Sequence, residues 1–173
     1  MAASSNPTEQ AARELRITRV FDAPRELVFK AWTDPEHLAR WFAPTGCTTE
    51  FVQLDVRPGG VFRHVVRNPK AGDCWCKGVY RELVAPERIV YTLALTDERG
   101  NTIGAAQAGK GSDWPSETTV AVTFAEHGGK TTLTLHQTVP ESVAKRTGAY
   151  PSWIQMLDRL AEHLAPQQDV AEQ

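Results

Sequence analysis

PSWIQMLDRLAEHLAP, residues 151–166, sets Trp153, Met156, Leu157, Leu160, Ala161 and Leu164 on one side of a helix. The pattern predicts an amphipathic helix of about 14 residues that Pro166 ends. A helix with one apolar face is stable only where that face is covered. The rest of the chain offers one large apolar surface, because upstream of this helix the period of the sequence changes from helical to two.

Six segments read as strands. TEFVQLDV (49–56) and VFRHVVR (61–67) are joined through RPGG, where Pro58 and Gly59 suit a tight turn. WCKGVYRELV (75–84) and RIVYTLAL (88–95) flank APE, and TTVAVTFAE (118–126) and TTLTLHQTV (131–139) flank HGGK. With LRITRVF (15–21) as a seventh strand, three hairpins and one extra strand predict an antiparallel sheet whose concave face receives the last helix. Between the first strand and the first hairpin lie two short helices. Asp22 is expected to cap the first, which carries Leu27, Val28, Ala31 and Trp32, and Asp34 with Pro35 to start the second, which carries Leu38, Trp41 and Phe42.

At 173 residues, 19 basic and 21 acidic, the chain suits one domain and gives no electrostatic reason to expect nucleic acid as a partner. No apolar run reaches the roughly 20 residues of a membrane span, and the start lacks an export signal, so a cytoplasmic protein with reduced thiols is expected. Residues 1–13 and 166–173 read as disordered tails around a domain at 14–165.

GDCWCKG (72–78) raises the question of a metal or redox centre. On a strand, Cys74 and Cys76 share a face about 6.5 to 7 Å apart, too far for an unstrained disulfide in regular geometry. A zinc site wants four ligands, and Cys47, His64 and His136 bring no local spacing of their own. The two cysteines are therefore read as small apolar packing residues, and no metal or cofactor is expected. GAAQAGKGS (104–112) nearly spells a phosphate loop, but Gly111 follows Lys110 where a hydroxyl is needed, and neither strand nor helix flanks it. The long stretch 97–117, ending in Trp114 and Pro115, is expected to lie over a cavity mouth as a lid, or else to be an unstructured excursion.

FDAPRELVFKAWTDPEHLARWFAP (21–44), VRPGGVF (56–62), GVYRELVAPERIVYT (78–92), TVAVTFAEHGGKTTLTL (119–135) and WIQMLDRLAEHL (153–164) together resemble one family in order and spacing. It comprises the bacterial proteins similar to the C-terminal domain of the activator of heat-shock protein 90 ATPase, within the SRPBCC or START-like superfamily. The resemblance covers roughly residues 15–165 and implies an α+β helix-grip fold, as in the birch-pollen allergen: a seven-stranded antiparallel sheet wrapped around a long C-terminal helix, with two short helices after the first strand. It also implies an internal apolar cavity. The family's usual Gly-Trp pair at the start of the last helix is Ser152 and Trp153 here, after Pro151.

Strand parity in VFRHVVR places Phe62, His64 and Val66 inward and Arg63, Val65 and Arg67 in water. His136 alternates with Leu133 and Leu135 and is expected to face outward. Candidate ligand contacts are Trp41, Phe42, Phe62, His64, Val66, Tyr80, Tyr91, Trp114 and Trp153, with Trp41 and Phe42 near the mouth and Trp32 as packing. The expected function is binding or carriage of a small apolar or amphipathic molecule. The alternatives are a cyclase-like or hydrolase-like enzyme using His64 as acid or base, with Glu82 or Tyr80 as its partner, and a chaperone-associated interaction protein. Exposed edge strands leave room for a homodimer.

Overall fold

The computed structural model describes residues 13–104 and 114–171, with only the helical backbone for 166–171. Strand β1 (Glu14–Phe21) leads into helices α1 (Arg25–Thr33) and α2 (Pro35–Trp41). Three hairpins follow: β2 (Thr48–Leu54) with β3 (Val61–Arg67), β4 (Cys74–Val84) with β5 (Arg88–Thr96), and β6 (Glu117–His127) with β7 (Lys130–Pro140). Helices α3 (Glu141–Thr147) and α4 (Ala149–Ala171) complete the chain. The seven strands form one antiparallel sheet in the order β1-β7-β6-β5-β4-β3-β2. This is the helix-grip arrangement, with β1 and β2 as the edges and α1 and α2 bridging from one edge to the other.

Alternation fixes which face is the core. On β7, Thr131, Leu133, Leu135, Gln137 and Val139 are buried while the residues between them, His136 among them, are half-exposed. Trp153, Met156, Leu157, Leu160 and Leu164 of α4 cover that face, and Trp32, Trp41 and Phe42 wedge in from the short helices. The Trp32 ring meets Trp41 edge-on at 4.7 Å and stacks on Trp153 at 6.3 Å and 25°. Arg19 shares the inward parity of β1, but it lies over the Phe21 ring and reaches out to pair with Asp158 of α4.

Several expectations need correction. Asp22 does not cap α1, because Pro24 occupies the N-cap position and the first turn closes on the Pro24 carbonyl. Asp34 does act at α2, its carboxylate accepting from the Glu36 N–H at 2.9 Å, while its own N–H closes α1 on Lys30. Pro166 does not end the last helix, which runs to Ala171. A proline there forfeits one backbone donor, and the orphaned Glu162 carbonyl belongs to an exposed residue that water can satisfy. At the other end Gly148, at φ 88°, closes α3, so α4 begins at Ala149 and Pro151 falls in its first turn, where no N–H is needed. Val65 is fully buried although it shares a parity with the exposed Arg67. Residues 97–101 fold onto that outer face, where Arg63 Nη2 donates to the Glu98 carbonyl at 3.0 Å and Lys77 Nζ to the Gly100 carbonyl at 3.1 Å.

Candidate functional site

Among the cavities that described residues border, two lie on the inner face. The deeper one measures only about 20 Å³ and is walled by aromatic rings, Phe62, Tyr80 and Tyr91 among them. That is about the room of one water-sized probe, so the centre of the grip is packed. The larger, about 340 Å³, opens at one end, where α4 starts and the sheet runs on beyond it. Its volume falls within the usual range for small-molecule sites.

This pocket is assembled from the inward positions of adjacent strands. His64 and Val66 of β3 stand opposite Cys76 and Cys74 of β4, and Leu93 and Leu95 of β5 extend the wall. The first turns of α4 supply Ser152, Trp153 and Met156 across from it. Phe42, Pro44 and Cys47, from the connection between α2 and β2, close one side. Arg159 of α4 holds that connection by donating from Nη1 to the Ala43 carbonyl at 2.6 Å and from Nη2 to the Arg40 carbonyl at 2.9 Å. Gln155 adds a bond, its Oε1 accepting from the Thr45 N–H at 2.9 Å. The wall is therefore tied to the helix rather than left as a loose loop.

His64 stands apart from the pocket's other polar groups, Asn68, Asp73, Gln137 and Ser152. It is 3% exposed, stacks on Phe62 at 5.9 Å, and meets the edge of Phe42 at 5.7 Å. Among the described residues neither ring nitrogen has a hydrogen-bond partner. Burial pulls its pKa down to about 4, so at neutral pH it is an uncharged imidazole with one donor and one acceptor nitrogen. Gln137 is different: its Nε2 donates to Thr118 Oγ1 at 3.0 Å and its Oε1 accepts from Trp153 Nε1 at 2.9 Å, which fixes the amide. In the small cavity burial likewise raises the phenol pKa values of Tyr80 and Tyr91, and Tyr91 Oη and Trp32 Nε1 lack partners.

The predicted contacts divide. His64, Val66, Trp114 and Trp153 border the large pocket, and Phe42 borders both cavities. Phe62, Tyr80 and Tyr91 face only the small one, and Trp41 faces neither: it is fully buried, its Nε1 donating to the Ala31 carbonyl at 2.9 Å. Trp41 is thus a core residue and not part of a mouth. Trp32 packs as expected but also lines the small cavity.

Glu82 is exposed and paired with Arg88 at 3.1 Å. It lies six residues along β4 from Cys76, the partner of His64, or roughly 20 Å away at strand spacing, so the two do not form an acid–base pair. Among the described residues no group of three or more His, Cys, Asp or Glu side chains could hold a metal ion. Cys74 and Cys76, read from the sequence as packing, border the pocket, and so does Cys47. Parity with His64 marks Cys74 and Cys76 in retrospect, whereas nothing in the sequence marked Cys47. Of the stretch 97–117, Trp114 reaches the pocket and 97–101 lie on the outer face, while 105–113, with most of the Gly-rich near-miss, lie outside the described residues.

A wider groove of about 590 Å³ crosses the outer face of β1 and β7 between Arg13, Arg16, Glu14 and Glu141. Its charges are of both signs, and His136 there pairs with Glu14 at 2.9 Å. Surface pairs of this kind contribute little and select little. No described helix is long and apolar enough to cross a membrane.

Comparison with known proteins agrees with this architecture. Residues 22–165 match the family model described as Activator of Hsp90 ATPase homolog 1-like protein. A crystal structure of a Chromobacterium violaceum protein is 28% identical, covers 86% of this chain and 94% of its own, and superposes with a TM-score of 0.70. A solution structure from Staphylococcus epidermidis is 25% identical over 89% of this chain and 90% of its own, with a TM-score of 0.71. The AHSA1 protein from Silicibacter pomeroyi, 20% identical over 90% and 99%, shares the fold at a TM-score of 0.71. No curated protein matches the chain in sequence.

Proposed function

The chain belongs to the Activator of Hsp90 ATPase homolog 1-like family, and from that premise we propose that it binds a small apolar or amphipathic molecule in the pocket of about 340 Å³ at the start of α4. The observation that carries this reading is His64: a buried imidazole beside a ligand-sized space, with both nitrogens unpartnered among the described residues. Buried polar groups are ordinarily satisfied, and a bound molecule would supply what the protein does not. Apolar walls with a few fixed polar groups are the usual composition of such sites.

Chemistry on the ligand is not needed to explain the arrangement. An imidazole that titrates near 4 is a weak base at neutral pH, and Glu82 is not beside it. Nor does the outer surface favour a chaperone-like partner: among the described residues the exposed large apolar side chains are Val20 on β1 and Val52, Val61 and Val84 on β2, β3 and β4, single valines without an aromatic or long aliphatic group among them.

The test is titration with a naphthalene-based solvatochromic dye, read by dye emission and by energy transfer from tryptophan. Saturable binding is expected in the wild-type protein and its loss in Cys74→Phe and Val66→Phe, which fill the pocket from two strands. Absence of saturable binding, or unchanged binding to both variants while they melt as the wild type does, overturns the reading.

A further inference from the structure

The pocket also carries information about the charge of its guest. Among its described lining residues there is no lysine or arginine. The one carboxylate, Asp73, already accepts from Arg67 Nη1 at 2.8 Å, and the same guanidinium donates from Nη2 to Glu50 at 3.0 Å. That cation is committed to two acids on exposed side chains, and Arg67 is not among the residues that line the pocket. A ligand carboxylate entering here would shed water without meeting a counter-ion among the described lining residues, which makes burial of the charge costly. A ligand ammonium would find Asp73, the one anion among the described lining residues, already paired.

His64 specifies more than neutrality. Its ring offers one N–H donor and one lone pair, and both nitrogens are buried and unpartnered among the described residues. A hydroxyl both donates and accepts, so it suits either tautomer. Hydrocarbon of the same shape would leave the imidazole unsatisfied. Around it the walls are flat or soft: the rings of Phe42, Trp114 and Trp153 and the thiols of Cys74 and Cys76.

We propose that the pocket selects uncharged aromatic alcohols of about two fused rings, the hydroxyl meeting His64, over carboxylate, ammonium and hydrocarbon counterparts of the same outline. This rests on the reading of the pocket as a ligand site.

Isothermal titration at pH 7 with 2-naphthol, 2-naphthoate, 2-naphthylmethylammonium and naphthalene tests it. The alcohol is expected to bind roughly tenfold or more tightly than each of the others. In His64→Phe its advantage over naphthalene should vanish, whereas His64→Gln, which keeps a donor and an acceptor, should retain part of it. Equal or tighter binding of either ion, or of naphthalene, overturns the selectivity while leaving the pocket as a ligand site. If the alcohol keeps its advantage in a folded His64→Phe protein, the role of His64 is overturned. If none of the four binds and the solvatochromic dye is also silent, the ligand site itself fails, and the selectivity with it.

Discussion

Trp153 Nε1 donates a 2.9 Å hydrogen bond to Gln137 Oε1, joining the first turns of α4 to the middle of β7 beneath the pocket. Gln137 is 2% exposed and passes the link on, its Nε2 donating to Thr118 Oγ1 on β6 at 3.0 Å. Gln137→Leu would leave both the indole N–H and the threonine hydroxyl without this partner in a buried setting, a loss of about 1–3 kcal/mol. For a chain of this size each kilocalorie corresponds to roughly 2–4 °C in Tm. Thermal unfolding should show that drop for the single variant. Adding Trp153→Phe, which removes the stranded indole donor, should cost less than the two single changes summed. Strict additivity would mean that the bond contributes nothing as a pair.

His64 makes stability depend on pH in a stated direction. Burial holds its pKa near 4 in the fold, against 6.5 for the free side chain. Between those values the unfolded chain binds more protons, so stability is full above pH 6.5 and falls as pH drops toward 4. The whole window is on the order of 3 kcal/mol. His163 acts with the same sign, its pKa lowered by burial and then by His37 and Arg40, and so the quantity to measure is a difference. Denaturant midpoints for wild type and His64→Gln from pH 4 to 8 should converge on the acid side, the wild type losing more. Parallel curves would show that His64 is not held neutral.

Much of this architecture was legible because two periods suffice for it. Alternation identified all seven strands, and the apolar stripe from Trp153 to Leu164 identified the helix that covers them. Helix α3 was not seen, since only Val143 and Ala144 of its seven residues are buried and no stripe can form. The inward parity of Phe62, His64 and Val66 was readable, but not which of them faces a usable space. That depends on where Trp32, Trp41, Phe42 and Trp153 meet, and their cluster fills the middle of the grip and leaves the opening at one end. Val65 shows the same limit. It is buried on the face where the loop at residues 97–101 folds back to meet Arg63 and Lys77, a non-local event that a strand pattern does not encode.

Gly78 is a strand glycine with no room for a side chain. A Cβ there would stand 2.0 Å from the Thr92 carbonyl oxygen and 2.3 Å from the Phe62 ring. Gly78→Ala should destabilise the fold by about 1–3 kcal/mol or more, because backbone as well as side chain must move. Phe62→Leu in the same chain relieves the ring contact but not the carbonyl contact, so chemical denaturation should show partial rescue. Full rescue would place the clash in the ring alone, and no loss in the single variant would mean that the two strands stand further apart.

The three thiols report on the pocket without any assumption about the ligand. Cys74 is half-buried at the rim, while Cys47 and Cys76 are each 7% exposed. Reaction with a disulfide reagent requires access as well as thiolate. Cys74 should therefore label first in the folded protein, Cys47 and Cys76 only slowly, and all three together once the chain is unfolded; peptide mass spectrometry after timed quenching resolves the order. Since all three border one space, a molecule occupying it should slow Cys74 and Cys76 alike. An exposed control cysteine introduced at Val84, far along β4 and 47% exposed, should keep its rate. Fast labelling of Cys47 in the folded protein would show that the connection between α2 and β2 is not held by Arg159. A ligand that protects Cys74 and the control equally would be acting on the reagent or on the whole fold, not in the pocket.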